Sequence, residues 1–114
     1  MASTAKFDVW QDTSGKALYG ARAWVNFNGT GTVAIRSSSN VSSITDRGVG
    51  KYTINFANSL TDANYSVVGT AWYDGVTAGI TGVKSLTTSG AEVNTCNLSG
   101  VETDMLQCSH AIFR

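Results

Sequence analysis

The sequence predicts an all-β fold: one antiparallel domain, sandwich or jelly-roll-like, of about seven to nine short strands. Three observations predict it. Charged residues make up only 14% of the chain, against about 25% in an ordinary globular protein. Gly, Ser, Thr and Asn fill the difference, and they favour turns and short strands over helices. No window sustains helical periodicity, whereas apolar residues alternate with polar ones between Asn, Gly and Asp turns. At 114 residues the chain is long enough for one core and too short for two.

Residues 1–20 read as an N-terminal arm and residues 21–114 as the sandwich. Within the arm, Phe7, Val9 and Trp10 form one short strand before the turn Asp12-Thr13-Ser14-Gly15. Phe7 and Trp10 need a surface to cover them. That surface is either the chain's own sandwich or a neighbouring subunit or particle. The sandwich opens with Ala23, Val25 and Phe27 on one face and Trp24 and Asn26 on the other. The turn Asn28-Gly29-Thr30-Gly31 leads into Val33 and Ile35. After the polar run Ser37-Ser38-Ser39-Asn40, Val41 and Ile44 begin another extended segment. It turns at Asp46-Arg47-Gly48-Val49-Gly50 into Tyr52, Ile54 and Phe56. Period-two patterning of this kind is that of a meander joined by hairpins.

Ala57 to Asn64 is polar and short, a loop or a single helical turn. Tyr65 to Tyr73 is the clearest strand, with Tyr65, Val67, Gly69, Ala71 and Tyr73 on one face and Val68 and Trp72 on the other. Gly69 in mid-strand predicts a bulge or a close approach. Asp74-Gly75 is a turn, and Thr77 to Leu86 is a weak strand broken by Gly79 and Gly82. Ala91 to Leu98 alternates again, and Ser99 to Asp104 is polar loop. The last strand places Leu106, Cys108, His110 and Ile112 opposite Gln107, Ser109, Ala111 and Phe113.

The run from Ala23 to Phe56 (AWVNFNGTGTVAIRSSSNVSSITDRGVGKYTINF), followed by Asp62-Ala63-Asn64-Tyr65, resembles a domain at the distal ends of bacteriophage tail fibres and in related virion proteins. The closing residues His110-Ala111-Ile112-Phe113-Arg114 resemble that domain's C-terminus. The resemblance is close from Ala21 to Tyr65 and weak from Trp72 to Gln107. It implies a homotrimer, a virion location, and other virion proteins as partners. It implies no reaction.

Composition and motifs narrow the function further. Eight basic and eight acidic residues give zero formal charge, with no basic stripe to neutralise nucleic-acid phosphates. No apolar run approaches a membrane span, and the first residues lack a signal-peptide core, so synthesis in the host cytoplasm is expected. The four Asn-x-Ser/Thr triplets, at Asn28, Asn40, Asn64 and Asn97, therefore predict no glycan. Cys96 and Cys108 are the two cysteines. Cytoplasmic synthesis favours free thiols, while late pairing in an oxidising medium stays open. With His110 they fall short of a zinc set. His110 is the sole histidine, and no Gly-x-Ser-x-Gly elbow accompanies it, so a packed strand histidine is expected and not a general base. Gly29-Thr30-Gly31 and Gly48-Val49-Gly50 precede no helix and are hairpin glycines, not phosphate loops. No catalytic residue, cofactor or metal is assigned.

Trp24 and Trp72 lie opposite the core faces, where exposed tryptophans mark contact surfaces. Phe7, Trp10, Trp24 and Trp72 are accordingly the candidate attachment and interface residues. Recognition residues belong on loops held by a rigid scaffold. The candidates are Asp74, Gly75 and Thr77 in one loop, with Glu102, Thr103 and Asp104 in the other. Both loops lie where the resemblance fades. The expected function is that of a tail-fibre knob that contacts host surface polysaccharide or protein. The alternative is a capsid decoration (cement) protein docked on the head lattice. A carbohydrate-active enzyme is a further alternative that no motif supports.

Overall fold

The computed structural model describes residues 10–11, 13–14, 17–18, 20–74 and 77–114. Two short strands, β1 (Trp10–Gln11) and β2 (Ala17–Leu18), pair antiparallel as a separate hairpin. Eight further strands follow: β3 (Ala23–Asn28), β4 (Ala34–Ser39), β5 (Val41–Gly48), β6 (Lys51–Phe56), β7 (Ser66–Trp72), β8 (Ile80–Thr87), β9 (Gly90–Cys96) and β10 (Gln107–Phe113). They form two four-stranded antiparallel sheets. Sheet one has the order β4-β3-β10-β7 and sheet two the order β5-β6-β9-β8. The all-β sandwich expected from the composition is the fold observed.

The two sheets pack through the inward residues of their central strands. Ala23, Val25 and Phe27 on β3 and Cys108, His110 and Ile112 on β10 are buried from sheet one. Tyr52, Ile54 and Phe56 on β6 and Ala91, Val93 and Thr95 on β9 are buried from sheet two. Phe27 is the hinge of this packing. Its ring meets Tyr52 edge-on at 5.2 Å and stacks on His110 at 6.1 Å, both favourable aromatic geometries. At one end of the sandwich Phe56 packs edge-on against Tyr65 at 5.7 Å. The Tyr65 hydroxyl there faces the Gly90 and Thr87 carbonyls at 2.7 and 2.9 Å. Edge strands β4, β5, β7 and β8 bury far less, which is why their residues alternate less strictly.

Three local expectations change. The polar serine run does not interrupt the extended chain but is itself strand, because β4 extends to Ser39, which pairs with Trp24. The reversal is confined to Asn40, whose φ of 55° puts it in the left-handed region that Asn tolerates better than most residues. There the chain crosses from sheet one to sheet two. The Asn40 amide nitrogen donates to the Arg22 and Asn58 carbonyls at 3.2 and 3.1 Å, and its Oδ1 accepts the Asn58 N–H at 2.8 Å. Gly82 does not break β8 but sits within it opposite Asn94. Tyr73 leaves the core face, since β7 ends at Trp72, and is 49% exposed. Gly69 makes the close approach its position predicts: an added Cβ would meet the Ser109 carbonyl oxygen at 2.8 Å and His110 Nε2 at 2.9 Å.

Candidate functional site: a loop-lined depression

The two loops singled out for recognition meet at one end of the sandwich. The first leaves β7 at Trp72 and returns as β8. Tyr73 N–H donates to the Thr77 carbonyl at 2.9 Å, and Gly79 N–H donates to the Ala71 carbonyl at 2.9 Å. Asp74 Oδ1 accepts the Thr77 N–H at 2.7 Å, the local bond that makes Asp a turn former. The second loop leaves β9 at Cys96. Asn97 Oδ1 accepts the N–H groups of Ser99 and Val101 at 2.9 and 3.0 Å, and Gly100 turns the chain at φ 83°. Thr103 then lies back along β9: its N–H donates to the Thr95 carbonyl at 3.1 Å and its carbonyl accepts the Thr95 hydroxyl at 2.7 Å.

Between the loops lies an open depression of about 340 Å³. Tyr73, Asp74 and Thr77 form one wall, Asn97 and Thr103 the other, and Met105 the floor beside Ala78. Met105 is fully buried and packs so closely under Gly79 that a Cβ there would meet its sulfur at 2.7 Å. The site therefore has a half-exposed aromatic ring, a carboxylate, two hydroxyls and an amide over an apolar base. Such a set can bind a ligand that has both an apolar face and several hydroxyls.

Asp74, Thr77 and Thr103 line this one depression, and Gly75 lies outside the described residues. Glu102 is not part of the depression's lining. Its carboxylate faces Lys51 Nζ at 3.4 Å and accepts from the Asn94 amide at 3.0 Å. Asp104 corrects the expectation of a loop carboxylate open to a partner. Its Oδ1 accepts the Gly50 N–H at 2.8 Å and faces the Tyr52 hydroxyl at 2.9 Å, so it ties the loop to the β5–β6 turn. Tyr52 is pushed above its ordinary range by burial first and by this carboxylate second. Tyr73 and Asn97 were not singled out. The only signal for Tyr73 was an aromatic directly before an Asp-Gly turn, and Asn97 appeared only as an Asn-x-Ser triplet.

Of the attachment candidates, Trp72 lies at this end of β7 and Trp24 stands away from it. Trp24 and Trp72 stand on the outer face of sheet one, 40% and 41% exposed. Trp24 lies opposite Ala111, which lies opposite Val68. Exposed Val68 and Phe113 share this face with that row, whereas Trp72 pairs with Gln107, beyond the polar row Asn26-Ser109-Thr70. Phe7 lies outside the described residues, and Trp10 is placed on β1 by its backbone.

The histidine and cysteines are structural in their surroundings. His110 is 3% exposed, with Nε2 2.7 Å from the Thr81 hydroxyl, a bond that joins the two sheets. Burial lowers its pKa to about 4, and Nδ1 has no partner, so the ring is neutral at pH 7. Cys108 is buried, and that burial pushes its thiol up to about 12; Cys96 and Cys108 are both free. Among the described residues no three metal-ligating side chains gather. A second depression of about 250 Å³ lies beside Arg22, Leu60 and Arg114. Arg114 there holds Asp62 with two bonds, of 2.9 and 2.7 Å.

No family model matches the chain, and no curated protein matches it. Among solved structures it is similar to the phiAB6 tailspike, determined in complex with three-repeated oligosaccharides of Acinetobacter baumannii surface polysaccharide. The TM-score is 0.61 at 14% sequence identity. The two share a fold. The likeness covers 99% of this chain and 29% of the tailspike chain.

Proposed function

We propose that this protein is a bacteriophage tail component whose loop-bearing end binds polysaccharide on the host surface. The observation that carries the reading is the convergence of Tyr73, Asp74, Thr77, Asn97 and Thr103 on one depression. An exposed ring flanked by short polar side chains suits a pyranose, which offers an apolar face for stacking and hydroxyls around its edge. The fold shared with a tailspike supports a tail location over the capsid. The apolar Trp24 end of the outer face of sheet one supports assembly, which we propose to be homotrimeric with attachment to other virion proteins. Binding without cleavage fits the carboxylates of the second loop, since Asp104 and Glu102 are each held by groups of the fold.

The test is adsorption of the purified protein to bacterial cells, with competition by polysaccharide stripped from the same cells. Saturable adsorption that the free polysaccharide displaces is expected. Adsorption to emptied capsids, with none to cells, would replace the tail reading by capsid decoration.

A further inference from the structure

Resting on the reading of the depression as a glycan site, we infer that the bound polysaccharide continues round the edge of β7 onto the outer face of sheet one, where Trp72 stacks on a further sugar residue. Trp72 and Tyr73 are consecutive, so their Cα atoms lie about 3.8 Å apart, yet they serve different surfaces. Tyr73 walls the depression. Trp72 ends β7 half-exposed on the outer face, and its backbone pairs with Ala78, which belongs to the depression's lining. Because β7 is the last strand of its sheet, the route from one ring to the other runs past the Trp72–Ala78 pair.

The neighbours of Trp72 match a saccharide better than a second protein chain. On the same face it lies opposite Gln107, and the next row holds Asn26, Ser109 and Thr70. Opposite residues of an antiparallel pair have Cβ atoms about 4.5–5.5 Å apart, so these side chains reach the rim of a ring stacked on the indole. The Asn26 amide oxygen accepts from Arg36 at 3.1 Å. The Thr70 and Ser109 hydroxyls and the Gln107 amide have no side-chain hydrogen bond within the described residues. An apolar protein surface over them would strand these groups, at a desolvation cost for each. A pyranose offers an apolar face to the indole and hydroxyls that both donate and accept around it. The apolar residues Trp24, Ala111 and Val68 lie on the far side of the polar row, so Trp72 stands apart from the surface that supports assembly.

The experiment measures binding of the whole protein to a short and a long oligosaccharide, both cut from the surface polysaccharide used in the adsorption test. Trp72→Ala, Trp72→Tyr and Tyr73→Ala accompany the wild type, and native mass spectrometry follows the oligomeric state of each. The long oligosaccharide is expected to bind wild type at least about tenfold tighter than the short one. Trp72→Ala brings the long one down to the affinity of the short one, which it leaves unchanged. Trp72→Tyr retains a ring and keeps most of the gain, and Tyr73→Ala abolishes binding of both. No gain with length, or a gain that survives Trp72→Ala, overturns the extension while the depression stands. Equal weakening of both oligosaccharides by Trp72→Ala also overturns it, as does a change of oligomeric state, which would give Trp72 to a subunit interface. Binding of neither oligosaccharide, or binding indifferent to Tyr73→Ala, removes the glycan site and its extension together.

Discussion

At the residue scale, neighbouring loop carboxylates have opposite fates, and their substitutions should show it. Asp104→Ala leaves the Gly50 N–H without its acceptor, while the Tyr52 hydroxyl keeps the Gly29 carbonyl at 2.8 Å. Losing the partner of buried donors costs about 1–3 kcal/mol, so chemical denaturation should show that loss. Glu102→Ala removes only an exposed pair with Lys51 and an amide bond and should cost about 1 kcal/mol or less. Equal effects would contradict this assignment. Nothing in the run Glu102-Thr103-Asp104 distinguishes the two carboxylates, because their partners, Gly50 and Tyr52, are some fifty positions away. His110 supplies a pH prediction. Its folded pKa is about 4 against an ordinary 6.5, so the unfolded chain takes up the proton first as pH falls. Stability should be full above pH 6.5 and decline toward pH 4, by on the order of 3 kcal/mol in all. As the sole histidine, it accounts for any slope between about pH 6.5 and 5. A flat profile in that window would show that His110 is not held neutral.

At the element scale, the central strands were legible, and so was the edge strand β7, whereas the edge strand β4 was not. On β3, β6, β9 and β10 one face is fully buried, so apolar and polar residues alternate and the pattern identifies the strand. β4 carries Ser37, Ser38 and Ser39 because an edge strand has less to bury. Pairing with β3 makes it extended where serine's own preference does not. The crossing at Asn40 was hidden for a related reason, since its bonds go to Arg22 and Asn58. Asn40→Ala should lose those bonds and tolerate φ 55° poorly, a destabilisation of about 2 kcal/mol. Asn40→Gly keeps the backbone freedom and should cost less. A Gly variant no better than Ala, in paired unfolding curves, would show that the backbone angle is not what selects Asn here.

At the scale of the whole molecule, the sandwich separates two surfaces. Its loop end has the polar depression, and the outer face of sheet one has Trp24, Val68 and Phe113. We propose the first as the surface for host glycan and the second as the surface for self-association. Native mass spectrometry should show a trimer at micromolar concentration, and Trp24→Ser should shift it toward monomer with little change in fold. A monomeric wild type would remove the trimer. The division of surfaces was half legible: the exposed tryptophans followed from strand alternation, whereas the depression needed Tyr73, Asn97 and Met105 brought together from three segments. The most direct measurement is amide chemical-shift mapping of the labelled protein during titration with a bacterial surface polysaccharide that it binds. The account predicts shifts concentrated at Tyr73, Thr77, Asn97 and Thr103, with the Trp24 end of the outer face of sheet one unmoved. Shifts centred on Trp24, Val68 and Phe113 would contradict it.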